Sequence, residues 1–154
     1  MSRHQKDRII FRPPVFTDFK PVGVRSNILN KISLTIDEYE AIRLYDYFGD
    51  DHLEAAKKME ISRSTFTRLI KNAHKKIAEF IIEGKSLKIN GGNIHFRENI
   101  IKCYSCGYMF NSNFGDKITT CPSCGSKNLI DLAERFGHGE YCQKRGRGRG
   151  RRRD

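Results

Sequence analysis

The chain has 154 residues, enough for one ordinary domain or two small ones, and an apolar fraction of 38% favours two small stabilised units over one large core. It carries 29 basic and 18 acidic residues, a formal net charge of +11, with no apolar run of membrane-spanning length and no apolar N-terminal signal region. These features argue against a membrane protein and make the cytoplasm the expected compartment. There, five cysteines serve better as metal ligands than as disulfides.

The first stretch, 1–33, has no clear periodicity and contains three of the four prolines, so it reads as an extended arm. Its Phe11, Val15, Phe16, Phe19 and Val22 are expected to lie over the next unit. That unit, 34–84, reads as three helices. Thr35 and Glu38 have capping-box spacing, and Leu34 with Tyr39 has that of a hydrophobic staple, so a helix starts at Thr35. Ile36, Tyr39, Ile42, Tyr45 and Phe48 form its expected apolar stripe, and Gly49 ends it. A short helix from about Asp51 to Met59 follows, with Leu53, Ala56 and Met59 on one face.

After a turn at Glu60 and Ile61, Ser62 caps a third helix that can run to Gly84. Phe66, Leu69, Ile70, Ala73, Ile77, Phe80 and Ile81 are its apolar stripe. Arg63, Ser64, Thr67, Arg68 and Lys71 turn outward, with Ser62 and Thr65 beside them at its start. Charge follows the same division: Leu34 to Ala56 balances at −6, whereas Lys57 to Lys88 balances at +6. A short helix, a tight turn and a basic amphipathic helix make a helix-turn-helix, whose last helix enters the major groove of double-stranded DNA. The expected DNA contacts are Ser62, Arg63, Ser64, Thr65, Thr67, Arg68 and Lys71. One departure is Glu60, at the turn position usually filled by Gly; if it adopts positive φ it costs about 1 kcal/mol.

The runs L-T-I-D-E-Y-E-A-I-R-L-Y-D, E-A-A-K-K-M-E-I-S-R-S-T-F-T-R-L-I and I-I-E-G-K-S-L-K-I-N-G-G, with R-P-P and F-K-P-V-G-V upstream, resemble an uncharacterised prokaryotic family of small predicted DNA-binding proteins. The family's helix-turn-helix is similar to region four of sigma factors. The resemblance spans Arg12 to Gly92 and implies DNA binding through the helix from Ser62, as a transcriptional regulator.

Residues 85–99 alternate and turn at Asn90-Gly91, the signature of a hairpin linker. In 100–130, Cys103, Cys106, Cys121 and Cys124 form C-x2-C-x14-C-x2-C, each pair followed by Gly. Two such turns complete a tetrahedron of thiolates around a structural metal. The knuckles resemble zinc ribbons and rubredoxins; the short separation between the pairs favours zinc over iron. Cys142 is left over. The segment 131–154 ends in a disordered basic tail whose Arg145, Arg147, Arg149, Arg151, Arg152 and Arg153 add non-specific attraction for DNA or RNA.

The expected fold class is therefore mainly α, a tri-helical helix-turn-helix, plus a small β zinc ribbon and a disordered tail. The expected function is sequence-specific DNA binding. Two alternatives stay open: an RNA-binding or ribosome-associated ribbon protein, and a rubredoxin-like iron redox protein. RNA polymerase is a further partner to consider, as is a second copy of the chain, since one such helix reads few base pairs. No phosphate loop, G-x-S-x-G or H-E-x-x-H is present, and the five histidines form no motif, so no enzyme is expected.

Overall fold

The computed structural model describes residues 7–96, 98–113 and 115–134, and the chain divides into two compact units, 1–94 and 95–154. The Arg/Gly-rich tail, its six arginines and Cys142 lie outside the described residues. No helix among the described residues is long and apolar enough to cross a membrane.

In the first unit, β1 (Arg8–Ile10), β2 (Asp18–Phe19) and β3 (Lys31–Leu34) precede α1 (Ile36–Ile42), α2 (His52–Lys58) and α3 (Arg63–Ile82), and β4 (Ser86–Ile89) follows. β4 is the middle strand of a three-stranded sheet. It pairs antiparallel with β2, Phe19 opposite Leu87, and parallel with β3, Lys31 opposite Ser86 through to Leu34 opposite Ile89. Parallel neighbours need a long crossover, and here the three helices are that crossover. Leu34, Leu87 and Ile89 are buried, and α3 packs against α1, α2 and β3.

This corrects the fold class. With eight short strands in three small sheets among the described residues, the protein is mixed α/β and not mainly α. A four-residue strand gives two alternations at most, too few for a pattern to register, and the β3–β4 pairing joins segments more than fifty residues apart. The Asn90-Gly91 turn likewise ends no hairpin between β4 and the next strand, because the hydrogen bonds of β4 go to β2 and β3. The N-terminal arm differs too. Ile9, Ile10, Pro13 and Pro14 are its buried residues, whereas Phe11, Val15, Phe16, Phe19 and Val22 stay exposed.

α1 begins as its sequence requires. Thr35 Oγ1 accepts from the Glu38 N–H, and Glu38 Oε2 accepts from the Thr35 N–H at 2.9 Å, a complete capping box. Its inner face is Ile36, Ala41 and Leu44 with three buried carboxylates, Asp37, Glu38 and Glu40. The expected stripe failed because a three-residue spacing drifts about 60° per step around an α-helix. Ile36 and Phe48 therefore face different ways, and Phe48 is 58% exposed. A π-helical turn, Arg43–Tyr47, closed by the Phe48 N–H on the Arg43 carbonyl, rotates the exit further.

Each buried carboxylate has a cationic partner. Asp37 pairs with Arg8, Glu38 with Lys76 Nζ at 2.7 Å, and Glu40 with Arg43 in a bidentate fork of 2.7 and 2.8 Å. Glu40 also accepts from the Phe11 N–H at 3.2 Å, which ties the arm to α1. Burial alone would lower the Arg43 pKa, but its hydrogen bond and charge contact with Glu40 hold it above the ordinary arginine value. For Arg8 burial prevails and the pKa falls, with the Glu38 charge opposing.

The turn between α2 and α3 is a Schellman closure: Glu60 N–H bonds the Lys57 carbonyl and Ile61 N–H the Ala56 carbonyl. It places Glu60 at φ 54, the one positive-φ residue other than glycine among those described. Glu60→Gly is therefore expected to raise stability by about 1 kcal/mol, read as a higher urea midpoint with unchanged slope. By contrast, Glu40→Ala strands Arg43 and the Phe11 amide and should cost roughly 3–5 kcal/mol in the same measurement. A loss below roughly 1 kcal/mol would remove Glu40 as an anchor.

Candidate nucleic-acid interface and metal centre

α3 is held at its N-terminus by Ser62, whose Oγ accepts from the Thr65 N–H at 3.2 Å and lies 2.8 Å from Thr65 Oγ1 and 3.2 Å from Ser64 Oγ. Phe66, Leu69, Ile70 and Ala73 are buried, so the helix cannot rotate about its axis without losing that core. Ser62, Arg63, Ser64, Thr67, Arg68 and Lys71 are exposed, and Thr65 is half-buried at the cap. Six of the seven expected contact residues thus share the outward side of the helix.

Arg8, Arg43, Lys58, Lys76 and Lys85 lie against carboxylates, and His74 Nε2 lies 2.8 Å from Asp46 Oδ2. On α3, Arg63, Arg68, Lys71 and Lys75 enter no ion pair among the described residues; elsewhere in the first unit the same holds for Arg12, Lys20, Arg25, Lys31, Lys57 and Lys88. Ser64, Arg68, Lys71 and Lys75 follow helical spacing and form one exposed polar row. Lys75 escaped the sequence reading although that spacing pointed to it. Beside the row runs an open groove of about 1060 Å³ of mixed charge, lined by Arg8 and Arg68 and also by Asp37, Glu38 and Glu60.

Thr67 is less free than its position suggests. Its hydroxyl donates to the Arg63 carbonyl at 3.0 Å, and His52 Nδ1 lies 2.9 Å from the same oxygen. With its hydrogen committed, Thr67 Oγ1 accepts from His52, which α2 presents with its ring edge-on to Phe66 and Tyr45. Nothing in the sequence marks His52 for this role, since the contact joins two helices.

After β5 (Ile94–Phe96), at the division between the units, β6 (Asn99–Cys103) of the second unit lies between β7 (Met109–Ser112) and β8 (Leu129–Asp131), both antiparallel to it. That unit's buried side chains among the described residues are few: Phe96, Ile100, Ile101, Ser112, Leu132 and Ala133 beside two of the cysteines. The sulfurs of Cys103, Cys106, Cys121 and Cys124 all lie within 4.8 Å of one another, and no disulfide joins them. Cys103 Sγ is 3.6 Å from Cys124 Sγ, and Cys106 Sγ 3.7 Å from Cys121 Sγ. Tetrahedral thiolates about 2.3 Å from a divalent metal sit about 3.8 Å apart, so the four sulfurs are spaced to hold one ion.

The two knuckles repeat one another. Gly107 N–H bonds the Cys103 carbonyl and Gly125 N–H the Cys121 carbonyl, with both glycines at positive φ, 76° and 73°. Cys103 N–H bonds the Tyr108 carbonyl as Cys121 N–H bonds that of Ser126, and Ser105 Oγ meets Ser126 Oγ at 2.8 Å across the pair. The Cys103 thiol is drawn down to about 6, chiefly by the Cys106 backbone N–H. Cys124 is pushed up to about 12: the Ser126 amide favours its thiolate, but desolvation and the sulfurs of Cys106, Cys103 and Cys121 outweigh it. Four thiolates this close can all ionise only around a cation, which is the chemistry of a metal site.

An α/β unit presenting a basic capped helix and a small unit of short strands around a four-cysteine centre define the class of protein. The chain belongs to the family described as "Protein of unknown function DUF134", whose profile matches residues 1–97. Curated relatives carry the name UPF0251 protein. That of Chloroherpeton thalassium is 45% identical over 150 residues, covering 96% of this chain and 99% of its own. Those of Pelotomaculum thermopropionicum and Clostridium novyi are 39% and 35% identical, over 82% and 94% of this chain and 95% and 98% of theirs. No solved structure matches.

Because the metal binds deprotonated sulfur, protons compete with it, and metal should be released as pH falls, which elemental analysis after dialysis across a pH series would read. Cys103→Ser is expected to abolish the metal measured by elemental analysis and to unfold the second unit, leaving the helical circular dichroism of the first. An unchanged metal content would remove the cysteines as ligands.

Proposed function

We propose that this protein is a sequence-specific binder of double-stranded DNA and a transcriptional regulator, with α2, the Glu60 turn and α3 acting as a helix-turn-helix. The observation that carries the reading is the exposed face of α3, where Arg63, Arg68 and Lys71 stand unpaired on the outward side of a capped, core-anchored helix. Such a helix fits a major groove, where an arginine can grip guanine O6 and N7 together. Arg63 and Arg68 are the base readers; Lys71 and Lys75 contact phosphate; Ser62, Ser64 and Thr65 lie at the end that enters the groove. Thr67, fixed by His52 and the Arg63 carbonyl, offers an acceptor lone pair and a methyl group to the bases.

The four-cysteine unit is on this reading a zinc ribbon, a module too small to fold on its own core and stapled by its metal. Its task is structural, and the protein is a binding protein and not an enzyme. The tail arginines, Arg145 to Arg153, supply general attraction to the phosphate backbone.

Selection of duplexes from a random pool tests the reading directly, and failure to enrich any sequence overturns it. On the enriched duplex, Arg63→Ala or Arg68→Ala should each cost about 1–3 kcal/mol and relax specificity at one position. Equal losses on random and enriched DNA would demote both to phosphate contacts.

A further inference from the structure

We infer that His52 of α2 sets which base pair Thr67 of α3 selects, and that this pair is A·T, an assignment that rests on the DNA reading proposed above. Two contacts fix the Thr67 hydroxyl. Its hydrogen goes to the Arg63 carbonyl at 3.0 Å, one turn back in the same helix, and its oxygen lies 2.9 Å from His52 Nδ1. A hydroxyl has one hydrogen and two lone pairs, so Nδ1 is the donor in the second contact. The neutral ring then carries its proton on Nδ1, and the protonated ring carries one there as well.

His52 is held where it can do this. It is the first residue of α2, and the capping box of Asp51 and Glu54, with bonds of 2.8 and 3.2 Å, fixes the backbone from which it projects. Its half-buried ring stands edge-on to Tyr45 at 4.9 Å and to Phe66 at 5.5 Å. Phe66 is fully buried and immediately precedes Thr67, so the core that anchors α3 also keeps the ring beside the hydroxyl.

The consequence lies in what Thr67 has left to offer. On a helix, threonine divides between two side-chain rotamers, and a free hydroxyl can turn to donate or accept. Held by His52 and the Arg63 carbonyl, the exposed Thr67 keeps one rotamer, has its hydrogen committed, and presents one lone pair and a methyl group. In the major groove adenine presents the N6 amino donor and its partner thymine the C5 methyl, which together match that lone pair and methyl. Guanine N7 and O6 call for a donor, which Thr67 no longer has, and cytosine offers its N4 donor without a methyl. Thr67 therefore favours A·T over G·C.

Selection of duplexes from a random pool, run on the metal-replete full chain and three variants, tests this. Thr67→Ser keeps the hydroxyl and deletes the methyl, so the position whose preference it weakens is the one Thr67 reads. There the wild-type chain should prefer A·T by about tenfold. His52→Asn places an N–H donor where Nδ1 stood and should retain that preference. His52→Leu, similar in shape to Asn but without the donor, should reduce it to within about twofold and leave the other positions as they were. If His52 serves only to pack against Tyr45 and Phe66, the order reverses, because Leu fills an apolar gap better than Asn. Thermal melting shows whether the variants fold; should His52→Leu not fold, His52→Gln, whose amide stands one bond further out, replaces it with the same loss expected. G·C at the Thr67 position, no effect of Thr67→Ser at any position, or equal preference in the Asn and Leu variants overturns the inference and leaves the DNA reading standing. A pool in which no sequence is enriched overturns both.

Discussion

The first unit depends on α1 carrying its carboxylates inward. Asp37, Glu38 and Glu40 are all buried, and each reaches a different part of the chain: Arg8 in β1, Lys76 in α3, and Arg43 together with the Phe11 amide. Burying an ion is unfavourable unless geometry and hydrogen bonds compensate, so these pairs specify arrangement more than they add stability. An apolar contact tolerates sliding; a forked carboxylate–guanidinium pair does not. The orientation of α3 is fixed by Lys76 on one side and by its buried Phe66 and Leu69 on the other.

The same constraint sorts the cations. Carboxylates on the inner face of α1 and at Asp46, Asp50, Glu79 and Glu83 take up nearby basic groups, and Arg63, Arg68, Lys71 and Lys75 are left unpaired on the outward face of α3. The acidic stretch 34–56 and the basic stretch 57–88 are therefore partners within one fold as well as separate charge blocks. The residual field is directional, which matters for the long-range attraction of a polyanion.

Much of this could be read locally. Thr35 with Glu38, Ser62 as a cap, and the first half of the α3 stripe, Phe66, Leu69, Ile70 and Ala73, follow from spacings of three or four residues; the rest of that stripe does not hold, with Ile77 and Phe80 half-buried and Ile81 exposed, and Leu53 of α2 is exposed as well. The cysteine knuckles were equally legible, because their geometry is written within six residues. What failed was non-local or misphased. β3 and β4 find one another across the whole helical segment, and no short pattern encodes that. The α1 stripe was drawn on a period of three, which walks off the face, and its true inner face hides acids where apolar residues were expected. Phe16 and Val22 are expected to lie over the next unit because they are apolar, yet both are exposed, since small folds leave many apolar side chains outside.

The parallel pairing of β3 with β4 also bears on how the protein comes into being. Closing strands that flank the entire three-helix segment is a distant encounter, and the entropy of that closure falls due before the sheet contributes anything. During synthesis α3 leaves the ribosome before β4 does, so β3, the strand α3 packs against, is then without its pairing partner. The helical region cut out at 34–84 would carry every expected DNA-contact residue but lack the floor they stand on. The smallest autonomous piece of this protein therefore extends at least from β3 through β4.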